Sequence, residues 1–292
     1  MGLPRYLLSI ELDWSSTRTQ VRLSQKQYIT QLIHNWLPSG SRNIQTPLSP
    51  SEQLLHREDC EAEADKTAYQ SLIGSLLYAA IITRPDILYP VCHLSQFLSN
   101  PSETHLRVAK SVVRYLAHSI DISLHYQQDK NWNLTHPLRI YSDSSYANSL
   151  SDKRSFSGSI TYYYNCPIAW TSTKQPIVAL STTEAEYIAL TNACQNLLWL
   201  KQLLCDIGVK SKDSHSKPVL LGDNLSSHFL TRNPSLHQRS KHIDVRYHCI
   251  REHHSSGHFD LHFVNGKDNP VDLLTKGLNP QSLRHLISLV FQ

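Results

Sequence analysis

The sequence predicts an α/β protein in two parts: a mainly helical first half with a short β-hairpin, then a mixed layer of strands and helices. Three observations carry that expectation. Apolar residues recur at helical spacing through residues 65–119. A polar stretch, Gln127 to Pro137, then interrupts the chain. Beyond it the order becomes three strands, a helix, a strand, a helix, a strand and a helix, with the strands marked by β-branched and aromatic residues.

The elements follow in order. Residues 5–12 and 19–23 alternate as short strands around Ser15-Ser16-Thr17, a hairpin, and a helix runs from about Ser24 to Trp36. A loop rich in Pro and Ser spans Pro38 to Pro50. Three helices fill 65–119, broken by Thr83-Arg84-Pro85-Asp86 and again by Asn100-Pro101-Ser102. In the second half, strands are expected at Leu138–Asp143, Gly158–Tyr164, Ile168–Thr171, Val219–Leu221 and Phe259–Val264. A long helix covers about Thr182 to Cys205, another starts near Asn224, and a last one near Pro270. The expected organisation is therefore 1–126, a linker at 127–137, an α/β domain over 138–278 and a tail at 279–292.

Composition sets bounds but names no function. The chain has 292 residues, 28 basic and 24 acidic, for a net charge of +4, with 40% hydrophobic residues. That share builds cores and excludes wholesale disorder. No stretch approaches the roughly 18 apolar residues of a membrane span, and Arg5 and Glu11 cut short any apolar leader. The six cysteines stand singly with no C-x-x-C pair, the pattern of free thiols in cytosol or nucleus.

Four acidic residues stand out by position. Asp143 closes the first strand of the second half, Asp223 closes the fourth, and Asp272 lies on the first turn of the final helix. The fourth comes from Ser-Thr-Thr-Glu-Ala-Glu. Ser181 and Glu184 fit the S-x-x-E capping box, a sufficient structural role for Glu184. Glu186 instead precedes Leu190, Ala193, Leu197 and Leu204 at i+4, i+7, i+11 and i+18, which places its carboxylate on the stripe facing the sheet. A carboxylate there is costly unless paired or bound to metal. Singly, each acid reads as a cap or a surface charge; jointly they suit hard divalent cations, which take oxygen ligands.

Several segments carry a family resemblance. Tyr-Ser-Asp-Ser-Ser-Tyr-Ala (141–147), Lys-Arg-Ser-Phe-Ser-Gly (153–158), Ala-Trp-Thr-Ser-Thr-Lys-Gln (169–175) and Leu-Ser-Thr-Thr-Glu-Ala-Glu-Tyr-Ile-Ala-Leu (180–190) come first. Arg-Ser-Lys-His-Ile-Asp-Val-Arg-Tyr-His (239–248) and Val-Asp-Leu-Leu-Thr-Lys (271–276) follow. In this order they resemble the ribonuclease H domain of copia-type LTR retrotransposon polyproteins. The first half resembles the part of the same polyprotein's reverse transcriptase beyond the palm. Its markers are Leu-Ser-Gln-Lys-Gln-Tyr-Ile (23–29), Thr-Pro-Leu (46–48), Tyr-Gln-Ser-Leu-Ile-Gly-Ser-Leu-Leu-Tyr-Ala (69–79), Thr-Arg-Pro-Asp-Ile (83–87), Phe-Leu-Ser-Asn-Pro (97–101) and Val-Val-Arg-Tyr-Leu (112–116).

The resemblance implies a ribonuclease H-like domain, a mixed five-stranded sheet with flanking helices, behind a thumb and connection remnant. It implies Asp143, Glu186, Asp223 and Asp272 as a tetrad for two Mg²⁺ or Mn²⁺ ions. The implied reaction is endonucleolytic hydrolysis of the RNA strand of an RNA–DNA hybrid. Arg107, Lys110, Arg114 and His118 share one face of the third helix, against Ala109, Val112, Val113 and Leu116 on the other. Such a stripe is ordinarily a solvated face, but a row of unpaired cations also suits phosphates. Lys174, Arg239, Lys241 and His242 lie inside the family-like segments and complete the candidate nucleic-acid contacts. A full-length reverse transcriptase or a second copy of the chain is the candidate protein partner.

Two departures support a second reading. Ser145 and Tyr146 stand where the family reads Asp and Trp, and the polymerase's Tyr-X-Asp-Asp segment is absent. DNA synthesis by this chain alone is not expected. The second reading is an inactive retrotransposon remnant that only binds nucleic acid or a partner. The histidines crowded between His215 and His262 have no paired cysteines or fixed i, i+4 frame, so a zinc site is not expected.

Overall fold

A computed structural model describes residues 2–42, 44–58, 60–127, 137–209, 217–232 and 249–291. The chain divides into two compact units, residues 1–129 with 276–292, and residues 130–275.

In the first unit the expected hairpin is part of a larger sheet. β1 (Tyr6–Leu7), β2 (Ile10–Trp14), β3 (Gln20–Ser24) and β4 (Leu124–Gln127) form an antiparallel sheet in that order. β4 pairs Leu124 with Leu23 about a hundred residues away, a partnership with no local signal. Helices α1 (Lys26–Trp36), α2 (Lys66–Ile82), α3 (Leu88–Leu94) and α4 (Glu103–His118) follow the expected periodicity. Asp65 caps α2 by accepting from the Thr67 and Ala68 N–H groups. Ser102 and His105 form a reciprocal capping box on α4. The opposite stripe of α4, Ala109, Val112, Val113 and Leu116, is fully buried, as its spacing demands.

The break at Thr83–Asp86 is more than a helix stop. The Arg84 guanidinium is buried and donates to both Asp86 carboxylate oxygens, at 2.9 and 2.7 Å. Tyr115 donates to the same carboxylate at 2.6 Å, and Ser119 supplies two further acceptors to Arg84. Burial alone would disfavour the Arg84 charge, but Asp86 and Tyr115 outweigh it and hold its pKa above the ordinary value.

The second unit is a five-stranded mixed sheet of β5 (Leu138–Ser145), β6 (Phe156–Tyr163), β7 (Cys166–Lys174), β8 (Val219–Gly222) and β9 (Asp260–Phe263), in the order β7-β6-β5-β8-β9. The first three strands are joined by hairpins and run antiparallel; β8 and β9 lie parallel to β5. Tyr164 and Asn165 link β6 to β7, both with positive φ (47° and 66°), the backbone of a two-residue hairpin turn matched to strand twist. Helix α5 (Thr182–Asp206) supplies the crossover that parallel pairing requires. It lays Leu190, Ala193 and Leu197 against Ile140 and Leu220 in the core. Each such fully buried leucine stabilises by about 1.5–3 kcal/mol. Helices α6 (Leu225–Arg232) and α7 (Cys249–Ser255) precede β9.

The chain end differs from expectation. Residues Pro270–Leu274 form a 3-10 turn rather than the start of an α-helix, and the α-helix, α8, is Pro280–Val290. The physical reason is local. Asn269 caps the turn and Asn279 caps α8, each followed at once by proline, so the chain carries two start signals where one was read. Among the described residues, no helix is long and apolar enough to cross a membrane.

Candidate active site

Three acidic side chains converge at the carboxyl end of the parallel strands. Asp143 comes from β5, which continues two residues past it to Ser145; Asp223 follows β8; Glu186 is in the second turn of α5. One carboxylate oxygen from each lies within 4.8 Å of the others, and among the described residues this is the one grouping of side chains spaced to hold a metal ion. Asp143 is 3% exposed and Glu186 is 8% exposed.

Local sequence explains each placement. Ser181 accepts from the Glu184 N–H at 3.1 Å, and the Glu184 carboxylate folds back to accept from the Leu180 N–H at 2.7 Å. Glu184 is thereby used up in starting α5, its carboxylate bonding the N–H of Leu180, one residue before the N-cap, rather than that of the N-cap Ser181 expected from the capping box. Two positions on, Glu186 turns onto the inner stripe and meets the Ser144 N–H at 3.3 Å. Gly222 lets α5 approach: a Cβ there would lie 3.1 Å from a Leu190 methyl.

The electrostatics are those of an incomplete charge balance. Burial, then Asp143, then Asp223 push the Glu186 carboxyl up to about 9, while hydrogen bonds from Ser144 work weakly the other way. Carboxylates this close and this dry cannot all ionise together without a cation. Oxygen-only donors in this number suit Mg²⁺ or Mn²⁺, so the residues present fit the group that the sequence led us to expect.

Asp272 is outside the three-carboxylate group. It sits in the 3-10 turn between two anchors on β5: the Asn269 amide donates to the Ser142 carbonyl at 3.0 Å, and the Thr275 hydroxyl donates to Asp143 Oδ2. One Asp272 carboxylate oxygen is shielded from solvent. Neither Asn269 nor Thr275 stood out in the sequence. Their signal was their spacing, three residues either side of Asp272, the repeat of a 3-10 turn.

The basic candidates divide. On α4, Arg107 is ion-paired with Glu52 at 2.6 Å, so the row of unpaired cations expected there is incomplete. Lys110 and Arg114 are half-buried on the same face, Arg114 bonded to Ser111 at 3.4 Å. Lys174 is paired with Asp152 at 2.8 Å. Arg239, Lys241 and His242 lie outside the described residues. Ser145 still pairs with Phe156 in the sheet, and Tyr146 is exposed.

No family model matches the chain. It is 35% identical over 285 residues to the retrovirus-related Pol polyprotein from transposon RE1 of Arabidopsis thaliana, a match covering 98% of this chain and 19% of that protein. It is 32% identical over 282 residues to the Pol polyprotein from transposon TNT 1-94 of Nicotiana tabacum, covering 94% of this chain and 20% of that one. Two solved ribonuclease H structures align loosely. The N-terminal ribonuclease H domain of a Mycobacterium tuberculosis protein matches with a TM-score of 0.32 and 12% identity, over 52% of this chain and 96% of that one. Ribonuclease H1 of Halobacterium salinarum matches at 0.28 and 17%, over 47% and 93%.

A five-stranded mixed sheet of this order with flanking helices is the ribonuclease H-like fold, and here two of the acids lie where the adjacent parallel strands β5 and β8 end and the third on α5. Over nearly its whole length the chain is homologous to retrovirus-related Pol polyproteins of copia-type transposons, and it spans about one fifth of the length of the curated relatives it matches.

Proposed function

We propose that the second unit is a metal-dependent endonuclease that hydrolyses the RNA strand of RNA–DNA hybrids, as part of a retrotransposon reverse transcriptase whose palm is not in this chain. The buried trio Asp143, Glu186 and Asp223 is the observation that carries this reading. Divalent cations bound at such a site would supply an activated water and charge neutralisation at the leaving 3′ oxygen of a phosphodiester. Asp143, Glu186 and Asp223 would hold them, with Asp272 as the fourth carboxylate.

The chain's own groups have separate tasks. The Ser144 N–H and the Thr275 hydroxyl fix one oxygen each of Glu186 and Asp143, leaving their other lone pairs for cations. Glu186 gives up its proton when a cation arrives, because the positive charge removes the repulsion that holds the proton in place. Recognition of RNA would rest on its 2′-OH and on hybrid groove shape. Lys110 and Arg114, with Arg239, Lys241 and His242, are the proposed backbone contacts.

The second reading, an inactive nucleic-acid- or partner-binding remnant, is favoured by Asp272 standing outside the trio and by Ser145 and Tyr146. A hybrid-cleavage assay decides. The expected result is Mg²⁺-dependent cutting of the RNA strand by the wild type, abolished by EDTA and by Asp143→Asn. Absence of cutting by the wild type in both Mg²⁺ and Mn²⁺ would overturn the enzyme reading.

A further inference from the structure

We propose that Thr275 is a positioning residue for Asp143, acting from the 3-10 turn Pro270–Leu274 to preset that carboxylate for cation binding. The proposal rests on reading the acidic trio as a hydrolytic metal site, and adds a residue to it.

The platform under the turn is a row across three strands. Asp143 on β5 faces Gly158 on β6, and Gly158 faces Ser172 on β7. Each member does something different for the turn. Ser172 donates to the Leu274 carbonyl at 2.7 Å. Gly158 provides room: a Cβ there would stand 2.7 Å from the Val271 methyl, 2.8 Å from the Thr275 methyl and 3.0 Å from Leu274 Cβ. Contacts under 3.0 Å are far inside van der Waals separation, so any side chain at 158 would lift the turn off the sheet. Asp143 accepts from the Thr275 hydroxyl. Asn269 adds the bond to the Ser142 carbonyl at the other end of the turn.

The Thr275 hydroxyl has one proton and two acceptors in reach. The Val271 carbonyl is at 3.5 Å, at the limit of a useful bond, while the Asp143 carboxylate is closer and charged. The proton therefore goes to Asp143. With the threonine methyl wedged against Gly158, the hydroxyl has little freedom, and Asp143 Oδ2 is held in one orientation before any cation arrives. Groups that orient metal-ligating side chains in this way typically contribute 10- to 100-fold in metal affinity or activity.

Thr275→Val keeps the shape and removes only the hydroxyl; Thr275→Ser keeps the hydroxyl. Mg²⁺ and Mn²⁺ affinities of the full chain are measured by calorimetry, with thermal melting in EDTA and hybrid cleavage at rising Mg²⁺. The expected result is a roughly 10- to 100-fold weaker cation affinity in Thr275→Val. Its kcat should fall with KM for the hybrid unchanged and recover as Mg²⁺ is raised, while Thr275→Ser stays close to wild type. A purely structural role would lower the EDTA melting temperature without Mg²⁺ rescue, and that outcome overturns the proposal. So does wild-type cation affinity in Thr275→Val while the wild type cleaves, which leaves the proposed function standing. A wild type that neither binds cations nor cleaves removes both. If Thr275→Val does not fold, Thr275→Ala removes the same hydroxyl without bulk and is read by the same criteria.

Discussion

Replacing Glu186 by glutamine should make the metal-free protein more stable at neutral pH while removing its response to Mg²⁺. In the folded chain the Glu186 carboxyl is pushed up to about 9 by burial and by Asp143 and Asp223. In the unfolded chain it returns to the ordinary carboxyl value of 4.5. Between those two values the folded state holds a proton that the unfolded state has lost, so stability falls as pH rises. The slope is about 1.4 kcal/mol per pH unit. At pH 7.5, some three units above the unfolded value, the cost reaches about 4 kcal/mol. Glutamine is neutral throughout and escapes it.

The assay is urea unfolding of wild type and Glu186→Gln in EDTA from pH 5 to 8.5. The expected result is a difference near its minimum at pH 5 that widens in favour of Gln with rising pH. Saturating Mg²⁺ should then narrow the gap at pH 7.5, since a ligand at 100 times its Kd adds about 2.7 kcal/mol to the state that binds it. Wild type gains that and the variant does not. A stability difference in EDTA that is the same at pH 5.5 and pH 8 would refute the reasoning, because Glu186 would then not be titrating between folded and unfolded states.

Other outcomes follow from the same geometry. Asp143→Asn should abolish RNA-strand cleavage in a gel assay while leaving hybrid binding by anisotropy within a few-fold. Asp86→Ala strands the buried Arg84 guanidinium and should cost about 3–5 kcal/mol in chemical denaturation; a loss under 1 kcal/mol would mean the network is hydrated. Lys110→Gln should lower the salt dependence of hybrid binding by about one phosphate contact, whereas Arg107→Gln, already neutralised by Glu52, should change it little. Equal effects of the two would remove α4 as a backbone-tracking face. Thr275→Val should weaken Mg²⁺ binding in calorimetry, as described above.

Much of the site was legible because its signals are local. The capping role of Glu184 and the inward turn of Glu186 both follow from spacing within one helix, and α5 bears them out. The buried stripe of α4, the order of strands in the second half and helix α5 are read the same way, from periodicity over ten or fifteen residues, whereas α7 was not expected. What spacing does not carry is the partner of a polar group far along the chain. Arg84 and Asp86 read as a helix break, and only packing against Tyr115 and Ser119 made them a buried ion pair. Arg107 belonged to a cationic row until Glu52 met it.

From its sequence alone, then, this chain has most of its element types, its family resemblance and four candidate acids, of which the fold gathers Asp143, Glu186 and Asp223, since each reading depends on neighbours within a few residues or on motifs in order. Tertiary structure alone decided that Leu124–Gln127 completes a sheet begun at Tyr6, and that Gly158 leaves room for a turn from the far end of its domain. It alone set Thr275 on Asp143, 132 positions away. Strand pairing and buried hydrogen bonds are chosen by which groups must be satisfied once water is excluded, and that choice is made in space.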